Sequence, residues 1–98
     1  MFVLILTYKK PLEIIDQYVV EHRQYLDECY AQKIILISGP QIPRSGGIII
    51  LTVKTREQLQ KFIEQDPFFI HDVADYQSIE FDPIKSQPEL MQLLKNMV

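Results

Sequence analysis

The sequence has little that would suit it to a disulfide scaffold, a membrane or a nucleic acid. Its single cysteine, Cys29, cannot form an internal disulfide bond. The apolar run at residues 2–6 is too short to cross a bilayer and lacks the charged region and cleavage site of a signal peptide. Ten Lys and Arg against thirteen Asp and Glu give a net charge of -3, with no basic stripe for nucleic acid. We therefore expect a cytoplasmic protein without a nucleic-acid or membrane partner.

Several motifs of catalysis and ligand binding are also missing. The chain has only three glycines, and segment 38–40 carries a proline where the amides of a phosphate loop would point inward. Neither Ser38 nor Ser45 lies in a Gly-x-Ser-x-Gly elbow, so no serine nucleophile is predicted. Two histidines and one cysteine, at no ligand spacing, do not predict a zinc site. We expect no metal and no cofactor.

The residues that are present describe one small globular domain. The composition, 47% hydrophobic and 23% charged over 98 residues, is that of an ordinary folded protein. Apolar spacings of three and four predict a first helix, and a capping box at 55–58 opens a second. The predicted strands are 2–8, 33–37, 48–53 and 75–81, and the predicted helices are 11–31, one from Arg56 to the stop at Pro67, and 88–98.

This βαββαβ order predicts an α+β, ferredoxin-like domain: a four-stranded antiparallel sheet with both helices on one face, because each crossover is right-handed. The first three strands are apolar in both phases of the pleat, so the second face also needs a cover. A symmetric homodimer that packs sheet against sheet would supply it. The alternative is a monomer in which the last helix, 88–98, folds back over that face.

One His-Asp pair is the best candidate for chemistry. His22 lies within the buried stripe of the first helix, where a histidine is either a hydrogen-bonded core residue or a base. We take strands one and three as parallel neighbours, so that the helices after them run in the same direction. His22 is then the twelfth residue counted from Pro11 and Asp66 the eleventh from Arg56, which places both at the same height.

A carboxylate beside an imidazole fixes its tautomer and stabilises the imidazolium that a base becomes. Asp66 followed by Pro67 is also typical of a helix N-cap. The two roles are compatible if one carboxylate oxygen caps while the other faces His22. Ser38 and Arg44 are the candidate substrate-binding residues, and Arg44 either contacts an anionic substrate or lies solvated in its loop.

The same residues carry a family resemblance. The segments are the first strand, Glu21-His22-Arg23, Ser38-Gly39-Pro40, Gly46-Gly47, 64–68 with its Asp-Pro-Phe, and 76–81. Over residues 1–85 they resemble the YCII-related domain family, and residues 86–98 form a C-terminal helical extension of the same domain. The resemblance implies a dimeric α/β barrel with its active site around His22 and Asp66. One branch of that family is similar to a dehydrochlorinase that acts on a chlorinated hydroxyquinol.

Two functions fit these residues. The first is a cofactor-independent enzyme of lyase or isomerase type, in which His22 moves a proton on a small cyclic or carbonyl-bearing molecule. The second is a homodimer that binds a small metabolite without turning it over, and a weaker third is a purely structural homodimer. The sequence does not separate the first two, because proton transfer and binding need the same pair of side chains.

Overall fold

The structure, a computed structural model, describes residues 1–97. The strands are β1 (Phe2–Tyr8), β2 (Ile35–Pro40), β3 (Gly46–Leu51) and β4 (Ala74–Glu80). The helices are α1 (Leu12–Asp16), α2 (Val19–Ala31), α3 (Arg56–Gln65), α4 (Pro67–Ile70) and α5 (Pro88–Met97). Val98, the predicted end of the last helix, lies outside the described residues. Within 1–97 no helix has the length and apolarity needed to cross a membrane.

The four strands form one antiparallel sheet in the order β2-β3-β1-β4, which confirms the predicted α+β class. The expectation that β1 and β3 are parallel is wrong, because they pair antiparallel, with Leu4 opposite Ile49. The physical reason is the turn between β2 and β3, which reverses the chain before β3 enters the space between β2 and β1. The helical segments that follow β1 and β3 therefore return in opposite directions.

The predicted helix 11–31 is in fact two helices, α1 and α2, separated at Gln17 and Tyr18. The amides of these two residues bond to carbonyls three residues earlier, at 3.1 and 2.9 Å. An α-helix bonds four residues back, so this tighter turn ends α1 before α2 begins.

Two strands extend into segments that were predicted as loop. β2 was expected at 33–37 and β3 at 48–53, but β2 runs on to Pro40 and β3 already begins at Gly46. A Cβ at Gly46 would overlap the carbonyl oxygen of Leu6, so glycine here permits close approach to β1. β4 begins and ends one residue earlier than predicted.

The core lies between the helices and one face of the sheet. Phe2, Leu4 and Leu6 alternate along β1, and each is at most 1% exposed. The predicted capping box opens α3, because Thr55 Oγ1 accepts from the Gln58 amide at 3.1 Å and the Gln58 side chain accepts from the Thr55 amide at 3.2 Å. The helical side chains buried against this face include Ile15, Leu26, Cys29, Leu59, Phe62, Ile63 and Phe68.

The other face of the sheet carries a continuous apolar row. The register aligns Ile79, Val3, Ile50 and Ile37 across all four strands. The α5 helix, none of whose residues 88–97 is buried, lies at a cleft lined by residues of α2 and β2. It leaves Ile37 59% exposed and Ile79 49% exposed, so the last helix does not cover this row.

Candidate functional site

Asp66 lies at the junction between α3 and α4, and its side chain is fully buried. Its backbone is extended, with φ of -70° and ψ of 127°, so α3 ends there and α4 begins at Pro67. Asp66 Oδ1 accepts from the Phe68 amide at 3.1 Å, which is the N-cap interaction predicted from the Asp-Pro sequence.

The same carboxylate joins His22 and Tyr76. His22 Nδ1 lies 2.7 Å from Asp66 Oδ1, and the Tyr76 hydroxyl donates to Asp66 Oδ2 at 2.6 Å. The expectation that one oxygen caps while the other faces His22 is wrong, because Oδ1 does both and Oδ2 is occupied by Tyr76. The physical reason is the pairing of β4 with β1, which sets Tyr76 opposite Leu6 on the core side.

His22 and Asp66 meet for a different reason from the one predicted. The helices after β1 and β3 do not run in the same direction, so equal counts from their starts do not give equal heights. The contact depends instead on α4, which follows the end of α3 and packs against α2. Asp66 caps that short helix and therefore lies beside His22.

The three hydrogen bonds to the buried Asp66 carboxylate determine the donor and acceptor roles of its neighbours. An ionised carboxylate only accepts, so the Phe68 amide, the Tyr76 hydroxyl and His22 Nδ1 all donate to it. Burial, followed by the nearby Asp66 charge, raises the pKa of Tyr76 well above its ordinary value, so that phenol stays a neutral donor. The network assigns the proton of neutral His22 to Nδ1 and leaves Nε2 as the basic nitrogen.

Two contacts fix the His22 ring: Phe68 stacks on one face of it, and Asp66 forms a hydrogen bond with its Nδ1 edge. The centroid of the His22 ring lies 4.0 Å from that of Phe68, and the two planes are 6° apart. Within residues 1–97 Nε2 has no hydrogen-bond partner, and this part of the chain has no buried side-chain nitrogen or oxygen without one. Nε2 is therefore open to solvent, although the side chain is only 13% exposed.

A cavity of about 250 Å³ lies in front of the ring. The predicted residues His22, Ser38 and Arg44 all line it, while Asp66 lies behind His22. The Ser38 hydroxyl is 2.6 Å from the Tyr30 hydroxyl, and Arg44 donates to Asp16 at 2.6 Å. The apolar wall of the cavity includes Leu6, Val19, Leu26, Ile49 and Phe68.

Sequence reasoning missed two residues here, Tyr76 and Arg23. In the sequence Tyr76 is notable only as the first residue of the family segment 76–81, and only the pairing of β4 with β1 shows that it reaches Asp66. Arg23 follows His22 on α2 and lines the same cavity. In the sequence Arg23 is notable only within the family segment Glu21-His22-Arg23, without a predicted role of its own.

The remaining reactive side chains stand apart from this site. His71 is exposed and stacks on Tyr18, with centroids 4.0 Å apart. Cys29 is buried, and desolvation raises the pKa of its thiol, as expected for a packed cysteine. Within residues 1–97 no three His, Cys, Asp or Glu side chains are grouped so that they could hold a metal ion.

Comparison with known proteins supplies a family and a fold. A family model for the YCII-related domain matches residues 1–82. One similar solved structure is the 5-chloro-2-hydroxyhydroquinone dehydrochlorinase TftG from Burkholderia phenoliruptrix AC1100, in complex with 2,5-dihydroxybenzoquinone. The TM-score is 0.70 at 20% identity, over 84% of this chain and 94% of that one. At this identity the similarity is evidence for a shared fold and not for a shared activity. No curated protein sequence matches.

Proposed function

Because the chain belongs to the YCII-related domain family, we propose that it is a small-molecule enzyme in which His22 acts as general base and acid. The observation that carries this proposal is the pairing of His22 Nδ1 with a fully buried Asp66, while Nε2 stays open beside a cavity. A buried counter-charge and a fixed tautomer are what a base needs to take a proton and return it.

The reaction proposed is a cofactor-independent lyase or isomerase step on a small cyclic or carbonyl-bearing molecule. The base at Nε2 removes a proton from carbon. In a lyase step the electron pair of the broken C–H bond forms a double bond and expels the leaving group; in an isomerase step it moves into the neighbouring carbonyl, and the imidazolium returns the proton to another atom. The dehydrochlorinase activity of the structural neighbour TftG supports an elimination of this kind, in which a proton and a chloride ion leave the substrate. Phe68 would hold the imidazole plane during the transfer.

The working unit proposed is a symmetric homodimer. The apolar row of Ile79, Val3, Ile50 and Ile37 carries no charge and stays open on the face opposite the helices. A second copy offers the same row, so two sheets can bury each other across a two-fold axis. The family resemblance implies the same assembly.

The test compares turnover with binding. We would incubate the protein with 5-chloro-2-hydroxyhydroquinone, measure released chloride, and measure binding of 2,5-dihydroxybenzoquinone by calorimetry. In Asp66→Asn the amide oxygen keeps the place of Oδ1, because the Phe68 amide donates there, and the amide nitrogen faces the Tyr76 hydroxyl, which can accept. The substitution therefore keeps the N-cap and the His22 tautomer but removes the negative charge that stabilises the imidazolium. His22→Gln keeps a donor toward Asp66 but has no basic nitrogen.

We expect both variants to fold and to release chloride about 10²–10⁴-fold more slowly than the wild type. Tyr18→Phe is the control, because its ring stacks on His71 outside the cavity lining. Binding without chloride release in the wild type would favour the metabolite-binding alternative. Undiminished release in Asp66→Asn would reject the paired mechanism.

A further inference from the structure

The cavity in front of His22 is cationic although the protein is acidic. Two arginines, Arg23 and Arg44, line it, and among the described residues 1–97 no Asp or Glu lines it. The whole chain has thirteen acidic and ten basic residues, so this grouping runs against the net charge of -3. A recess lined by one sign of charge favours a ligand of the opposite sign.

The two arginines are available to a ligand in different ways. Arg23 is exposed on α2 and makes no ion pair and no side-chain hydrogen bond within residues 1–97. Arg44, in the loop between β2 and β3, is held by one bond to Asp16 at 2.6 Å and lies 5.9 Å from the centre of the Tyr8 ring. A guanidinium has five N–H donors, so Arg44 keeps free donors after this bond.

The apolar part of the cavity lining and the cavity volume limit the size and shape of the ligand. Leu6, Ile49 and Phe68 form an apolar wall, and the volume of about 250 Å³ suits a compound built on a single ring. A flat ring against that wall would face Nε2 of His22. A planar oxyanion would at the same time match the fork of an arginine, which binds carboxylates through two parallel bonds.

We propose that the ligand of this cavity is a small ring compound bearing a delocalised oxyanion, a carboxylate or an enolate, bound by Arg23 and Arg44. The proposal rests on the proposed site at His22, because it assigns the substrate class of that site. Arg23 and Arg44 bind the charge, and His22 acts on the ring. Charge recognition and proton transfer are therefore separate tasks of different side chains.

The test uses benzoate and benzamide, two ring probes of one shape that differ in charge. Their binding would be followed by NMR titration of the wild type, Arg23→Gln, Arg23→Lys and Arg44→Gln. Arg56→Gln is the matched control, since it removes the same charge from an exposed arginine that does not line the cavity.

We expect the wild type to bind benzoate about tenfold more tightly than benzamide, as one charge-assisted bond allows. Arg23→Gln and Arg44→Gln should each reduce this preference, and Arg56→Gln should leave it unchanged. Arg23→Lys should keep only part of it, because it retains the charge but loses the two-bond fork. Equal binding of the two probes, no binding of benzoate at millimolar concentration, or an unchanged preference in both glutamine variants would overturn the proposal.

A result with His22→Gln separates this proposal from the proposed function. That variant should keep the preference for benzoate, because both arginines remain. If the wild type releases no chloride, or if His22→Gln releases it as fast as the wild type, while the preference for benzoate holds, the catalytic role is wrong and the anion site stands. If turnover depends on His22 but the preference is absent, the anion site is wrong.

Discussion

Replacing Tyr76 by phenylalanine should destabilise the protein through Asp66. The substitution deletes one hydroxyl, which donates to Asp66 Oδ2 at 2.6 Å, and leaves the aromatic ring in place. Asp66 is fully buried, so no water can take over the lost bond without a rearrangement of the core. The two donors to Oδ1 remain, and Oδ2 alone loses its partner.

The chain contains a matched control for the size of this effect. Tyr25 donates to the Phe62 carbonyl at 2.7 Å, so Tyr25→Phe also deletes a partly buried phenol bond, but one to a neutral acceptor. A bond to an ionised group contributes about 1.5–3 kcal/mol and a neutral bond about 0.5–1.5 kcal/mol. At about 4–8 °C per kcal/mol for a domain of this size, Tyr76→Phe should lower Tm by roughly 6–24 °C.

Thermal and urea unfolding followed by circular dichroism would measure both variants under the same conditions. The expected order of stability is wild type, then Tyr25→Phe, then Tyr76→Phe. If Tyr76→Phe lost no more stability than Tyr25→Phe, Asp66 would not be an ionised acceptor in this network. The assignment of the His22 proton to Nδ1 would then lose its basis.

Further predictions concern assembly, alkaline pH, the His22 tautomer and the last helix. Ile50→Asp should turn a sedimenting dimer into a monomer or unfold it, since an unpaired buried charge costs about 3–5 kcal/mol; an unchanged dimer would contradict the proposed interface. The raised pKa of Tyr76 keeps its proton in the folded state, so its stabilisation is complete below about pH 10 and declines above it by about 1.4 kcal/mol per pH unit. Urea titrations should therefore show a shallower decline in Tyr76→Phe. Nitrogen-15 NMR of neutral His22 should show protonated Nδ1 and unprotonated Nε2, whereas the opposite tautomer would refute the network. Deleting residues 86–98 should cost less than about 1 kcal/mol in urea unfolding, because no described residue of α5 is buried; a larger loss would mean that α5 is part of the core.

The order of the strands and of the main helices, and most of the local chemistry, could be predicted from short-range patterns in the sequence. Strand β1, the capping box at Thr55 and the N-cap at Asp66 depend on neighbours within a few residues, so periodicity and cap residues predict them. The family was also visible, because its segments extend along nearly the whole chain. The break at Gln17 was not, because a local shift from four-residue to three-residue bonding leaves the apolar spacing intact.

The assembly of the site could not be predicted from such local patterns. His22 and Asp66 are 44 residues apart, and their contact depends on α4 packing against α2 rather than on helices that run in the same direction. Tyr76 reaches the carboxylate because β4 pairs with β1 in one register, and a shift of one residue would turn its side chain to the other face. Strand register and helix packing are set by contacts between distant segments. Local patterns therefore predicted His22 and Asp66 as a pair, whereas the hydrogen bond from Tyr76 to Asp66 became visible only in the folded structure.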